Sequence, residues 1–122
     1  MSRNLGQQAE QVACDYLQQK GLQLITQNYH CRRGEIDLIM RDTDTLVFVE
    51  VRARRNDRFG SALESITANK QSRIIATAQQ YLQQNRLQQN CRFDVIAVRI
   101  QTTADSQNHQ VSDWIRDAFQ LS

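Results

Sequence analysis

Gly34–Arg54 reads GEIDLIMRDTDTLVFVEVRAR. Its second half, Leu46 to Arg52, carries the strongest strand signal in the chain, with β-branched, aromatic and apolar residues on both faces until Glu50. A strand apolar on both faces belongs inside a sheet with a helix over each side. Gly34 opens the preceding strand, which runs to about Arg41, and the polar stretch Arg41–Thr45 reads as a tight turn joining the two.

On the N-terminal side, Leu5, Ala9, Val12, Ala13, Tyr16 and Leu17 recur at helical steps, which predicts a helix from about Leu5 to Lys20 ending at Gly21. Glu10 falls at the edge of its apolar stripe, beside Ala13 and Leu17. Leu22 to Tyr29 carries a weaker strand signal. On the C-terminal side, a second helix is expected to begin between Ser61 and Thr67 and to run to Asn85, with Ile74, Ile75, Ala78, Tyr81 and Leu82 facing inward. Cys91 to Ile100 reads as another buried strand and Thr102 to Gln110 as a polar loop. Asp113 is placed to cap a final short helix with Trp114, Ile115, Ala118 and Phe119 inward. The expected architecture is α/β, a single mixed sheet flanked by helices.

A chain of 122 residues fits one domain, residues 1–122, and can fold without disulfide or zinc. MSRNLGQQAEQ contains no apolar run of the secretory type, and no stretch approaches the ~20 apolar residues of a membrane span, so a cytoplasmic protein with no membrane partner is expected. Cys14, Cys31 and Cys91 are odd in number and widely spaced, and His30 and His109 share no metal-ligand spacing with them. The net charge of +2 is too mild to indicate a polyanionic partner by itself, so its distribution matters more. Arg52, Arg54, Arg55 and Arg58 crowd one short stretch that holds a single acid, Asp57.

Asp37 and Glu50 stand out chemically. Both interrupt otherwise apolar strands, and a buried carboxylate requires a partner or a cation. Two such charges ~4 Å apart repel by about 4 kcal/mol at an effective dielectric of 20. A divalent ion such as magnesium, which takes one or two carboxylates with water and substrate phosphate, is one resolution. An ion pair with Arg52, two residues past Glu50 on the same strand face, is the other. Glu35 reads as an exposed acid, and Asp94 as the partner of Arg92 or Arg99. Tyr29 and Phe59 read as packing residues.

The run GEIDLIMRDTDTLVFVEVRAR, with Phe59-Gly60, Lys70 and RFDVIAV after it, closely resembles the bacterial YraN family of uncharacterised proteins. The likeness extends from Gly6 and Glu10 to Trp114 and Phe119. Through that family the chain is similar, more distantly, to Holliday-junction resolvases and other PD-(D/E)XK nucleases. The resemblance implies a restriction-endonuclease-like (PD-(D/E)XK) core. Asp37 and Glu50 would then bind magnesium or manganese together with the carbonyl of Val51, with Glu10 in support through water. It also raises pairing of two chains as a homodimer, as in related resolvases.

One position departs from the motif: Arg52 stands where a lysine is expected. A guanidinium can stabilise charge on a phosphate, but it does not give up its proton and cannot serve as a general base. Proton transfer would then fall to water on the ion, to Glu10, or to Lys70 from the second helix, whose plain alternative is a solvated helix lysine. The expected function is a metal-dependent endonuclease on structured or branched DNA, with Arg52, Arg54, Arg55 and Arg58 on phosphates. The alternatives are a nucleic-acid-binding module of the same fold with impaired catalysis, and a structural protein with no nucleic-acid role.

Overall fold

The computed structural model describes residues 4–55, 61–102 and 106–120. Helix α1 (Leu5–Gln19) is followed by strands β1 (Gln23–Cys31), β2 (Gly34–Asp42) and β3 (Thr45–Arg54), helix α2 (Ala68–Gln84), and strands β4 (Cys91–Thr102) and β5 (Gln107–Phe119). The five strands form one mixed sheet in the order β1-β2-β3-β4-β5. Only β3 and β4 are parallel, and α2 lies in the connection between them, as a parallel pair requires.

Both helices begin where the sequence supplies caps. The Asn4 side chain accepts the Gln7 N–H while Gln7 reaches back to the Asn4 N–H, a capping box, and the Thr67 hydroxyl accepts the Lys70 N–H. In α1 the buried positions are Ala9, Ala13, Cys14 and Leu17, so small side chains bring the helix close to the sheet. The helix packs over Leu38, Met40, Val47, Val49, Ile96 and Val98. The opposite face of the sheet presents Ile36, Ile39, Leu46, Phe48, Phe93 and Val95 to Ile74, Ala78 and Tyr81 of α2. Successive β3 residues alternate between these two cores, so β3 is the covered inner strand that its composition predicted. Phe48 stacks on Phe93 with centroids 5.4 Å apart and meets Tyr81 edge-on at 6.1 Å, so truncating it to alanine should cost about 3–5 kcal/mol.

The C-terminal segment differs from expectation. Asp113 does not cap a helix: Gln107–Phe119 is strand β5, antiparallel to β4, and strand covers most of the supposed loop at Thr102–Gln110. Trp114 faces the α1 core and Ile115 the α2 core, as neighbours in a strand must. A bulge lies between the pairs Val95↔Ile115 and Phe93↔Phe119, and Asp117 inside it has φ 51°. The bulge breaks the two-residue period, so that Ile115, Ala118 and Phe119 take on the spacing of a helix. Fully buried Asp94 fastens it by accepting the Asp117 N–H at 3.0 Å. Asp94 also accepts Trp114 Nε1–H at 2.9 Å and pairs with Arg92 at 3.0 Å, which settles its role as structural.

Candidate functional site

The paired register of β2 and β3 runs from Asp42↔Thr45 to Leu38↔Val49. The next residues across from each other are Asp37 and Glu50, and there β2 leaves β3 while β3 continues along β4 as far as Arg54. A strand edge left in this way has an N–H to satisfy. Asp37 supplies the acceptor with its side chain: Oδ2 takes the Val51 N–H at 2.8 Å. The two acids are therefore close because of where the ladder stops.

The Asp37 and Glu50 carboxyls lie close enough for each to shift the other's ionisation. Burial pushes both above the usual carboxylate range; Glu50 is raised to about 8, first by burial and then by the Asp37 charge. Burial acts on Asp37 too, but the Val51 N–H opposes it. At neutral pH Glu50 therefore holds its proton.

Arg52 does not close the pair. Among the described residues no salt bridge joins it to either acid; its Nε donates to the Ser65 hydroxyl at 3.0 Å, and Ser65 in turn donates to the Ala62 carbonyl. The guanidinium still favours the ionised form of both acids through space. Of the two resolutions weighed from sequence, direct neutralisation by Arg52 is not the one adopted. Glu10 reaches the same neighbourhood from α1. Its carboxyl is raised by burial and by Asp37, against a hydrogen bond from Asn28, which sits in β1 with φ 54°. Lys70 extends from the first turn of α2, close enough to favour the ionised form of Glu50.

Glu50, Arg52 and Lys70 line one side of a solvent-open cleft of about 630 Å3 that also takes in His30, Arg32, Arg33, Glu35 and Arg73. Asp37 is not among its lining residues and is partly exposed. Glu35 is exposed, as expected, with its Oε2 3.3 Å from His30 Nδ1. Tyr29 packs edge-on against Tyr81 with its hydroxyl on Gln84, also as expected. The arginine cluster read from sequence divides. Arg54, with Ser61, Arg99 and Asp113, lines a separate hollow of about 420 Å3, and Arg55 is exposed. Arg58 and Phe59-Gly60 lie outside the described residues. Sequence reasoning missed Arg32, Arg33 and Arg73. The available signals were a basic pair at a strand-to-strand turn and an arginine one helical turn after Lys70.

Among the described residues no group of three or more His, Cys, Asp or Glu side chains is gathered to hold a metal ion. The donor set that remains is two carboxylates and a main-chain oxygen. In an extended strand the N–H and C=O of one residue point to the same edge, so the Val51 carbonyl faces the edge that Asp37 occupies. Hard oxygens of this kind suit magnesium or manganese.

Residues 9–98, which include every member of this constellation, match a family described as "Uncharacterised protein family UPF0102". The chain belongs to that family. A UPF0102 protein of Nitrosococcus oceani is 54% identical over 121 residues, spanning 98% of this chain and 94% of its own. UPF0102 proteins of Pseudomonas aeruginosa (49% over 120 residues, 97% and 94%) and Nitrosomonas europaea (50% over 119 residues, 98% and 96%) are similar along nearly their whole length. The UPF0102 match stops at Val98, before β5, and so rests on the helices and strands that surround the acids. No helix among the described residues is long and apolar enough to cross a membrane.

Proposed function

We propose that this UPF0102 protein is a magnesium- or manganese-dependent endonuclease acting on structured or branched DNA, with a PD-(D/E)XK core. The observation that carries this reading is the closeness of Asp37 and Glu50 at the splay of β2 and β3, beside an open cleft rich in cations. Two carboxylates this close cannot both stay ionised cheaply: one keeps a proton, or a cation sits between them. Asp37, Glu50 and the Val51 carbonyl would hold the ion. When bound, it polarises a phosphate and eases the ionisation of water.

The remaining work belongs to side chains of the chain itself. Arg52, steadied by Ser65, offers its outer nitrogens to phosphate oxygens and stabilises the charge that develops there. It takes no proton. Lys70, on the cleft wall, and Glu10, whose raised pKa suits a group that accepts and returns a proton, are the acid–base candidates. Arg55 and the hollow beside Arg54 lie farther along β3, where flanking phosphates would run.

The test is cleavage of a labelled four-way junction and a matched duplex with Mn2+ or Mg2+. The reading expects cutting that Asp37→Asn abolishes and EDTA suppresses. The engagement of Arg52 with Ser65 also favours a second reading, a nucleic-acid-binding module with impaired catalysis. Native protein that binds the junction without cutting, with cutting appearing in Arg52→Lys, supports the second reading over the first. Absence of binding even at low salt removes both.

A further inference from the structure

The far wall of the cleft is built by a close approach of two elements. Gly34 ends the β1–β2 turn with φ +151°, and a Cβ there would lie 3.1 Å from the Thr77 hydroxyl and 3.8 Å from Arg73 Cβ. The missing side chain lets the turn press on α2. Arg32 and Arg33, exposed in the turn, are thereby brought to the same cleft as Lys70 and Arg73.

These charges are available. The salt bridges among the described residues are His30–Glu35, Arg92–Asp42 and Arg92–Asp94, and none uses Arg32, Arg33 or Arg73. Five cations (Arg32, Arg33, Arg52, Lys70 and Arg73) face a cleft whose lining acids are Glu35 and Glu50. The result is a local excess of positive charge on a chain whose net charge is only +2. The cleft is open and the arginines are exposed, a form suited to neutralising an extended polyanion rather than enclosing a small anion. Its described lining contains no Phe, Tyr or Trp on which unpaired bases would stack.

We propose that Arg32, Arg33 and Arg73 form a phosphate-binding arm that seats the backbone of a nucleic-acid duplex against the cleft, by charge and shape and without reading sequence. The inference rests on the cleft being a nucleic-acid site, though not on its cutting. It places the main backbone contacts on the β1–β2 turn and α2, on the other side of the carboxylates from the arginine-rich end of β3.

The experiment is fluorescence-anisotropy titration of a labelled DNA duplex of mixed sequence, and of its single strand, in EDTA at several salt concentrations. Wild-type protein is compared with the triple variant Arg32→Gln/Arg33→Gln/Arg73→Gln. A control triple of equal charge, Lys20→Gln/Arg86→Gln/Arg116→Gln, removes cations that do not line the cleft. Circular dichroism verifies the fold of each. The expected result is duplex preferred over single strand, with the dependence of log K on log salt shallower by about 0.9 for each cleft arginine removed. The control triple should keep close to the wild-type slope. Equal losses in both triples, preference for the single strand, or no duplex binding at low salt would overturn the arm. Duplex binding that depends on these arginines, with no metal-dependent cutting by any variant, leaves the arm standing while the nuclease reading fails. Cutting with unchanged affinity in the cleft triple does the reverse.

Discussion

Asp37 and Val51, fourteen residues apart in the chain, meet where β2 and β3 part, the carboxylate of one accepting the main-chain N–H of the other at 2.8 Å. This bond gives Asp37 two tasks. It completes the hydrogen bonding of β3 where a neighbouring strand is missing, and it sets a second acid beside Glu50. Substitutions at Asp37 must therefore be chosen so that loss of function is not confused with loss of fold.

Asp37→Asn keeps an oxygen acceptor for the Val51 N–H and removes the charge, whereas Asp37→Ala leaves the N–H without its partner. We expect the alanine variant to be less stable than the asparagine variant by about 1–3 kcal/mol in urea unfolding. Equal stability would mean that water replaces the carboxylate at no cost.

Burial and the neighbouring Asp37 raise Glu50 to about 8 in the folded protein, from an ordinary value of 4.5. For an acid raised on folding, the folded state holds the proton more tightly than the unfolded chain does. Its contribution to stability is full below about 4.5, is lost as pH climbs toward 8, and is constant above that. The slope attributable to this group is at most about 1.4 kcal/mol per pH unit. Glu50→Gln should flatten the profile, so that the variant gains on wild type between pH 5 and pH 8.5 in metal-free thermal melts. Parallel profiles for the two proteins would contradict the shift.

The same proton competes with metal. An ion bound by both carboxylates must displace it, so Mn2+ affinity should rise by up to about tenfold per pH unit below the Glu50 midpoint and level off above it. Calorimetric titrations at several pH values check this. Affinity independent of pH, or unaffected by Glu50→Gln, would place any bound ion elsewhere.

Gly34→Ala tests the packing of the turn on α2. The left-handed φ and the 3.1 Å approach to Thr77 both oppose a side chain, so a loss of about 1–3 kcal/mol is expected in chemical unfolding. Adding Thr77→Ala should recover only the steric share, because the backbone strain remains.

Trp114→Phe keeps a smaller aromatic ring in the α1 core and removes the Nε1–H that Asp94 accepts at 2.9 Å. With Asp94 fully buried, a cost of about 1–3 kcal/mol is expected. A change near zero would show that Arg92 and the Asp117 N–H suffice for it.

Much of this architecture was legible locally. The Leu46–Arg52 run reads as a covered inner strand because each of its faces must leave water, and the 3- and 4-residue steps of α1 and α2 follow from burying one stripe. The error at β5 has an equally local cause: a bulge at Asp117 gives a strand the apolar spacing of a helix, and only the pairing with β4 distinguishes them. The cleft was half legible. Asp37 and Glu50 announce themselves as charges in apolar strands, and Lys70 entered by resemblance. Arg32, Arg33 and Arg73 gave no comparable signal, because exposed arginines in a turn and on a helix are ordinary.

By itself the sequence determined which segments are helix or inner strand, that two carboxylates interrupt the apolar strands, and that an arginine stands two residues past Glu50, since each depends on neighbours along the chain. Tertiary structure alone decided that the two acids come close enough to shift each other's ionisation and that the guanidinium turns to Ser65 instead of sealing them. It also decided that the β1–β2 turn and α2 add cations to the same cleft. The reason is physical: charge and hydrogen bonding act through space, and the distances that set them are fixed only when the sheet register and the seat of α2 are in place.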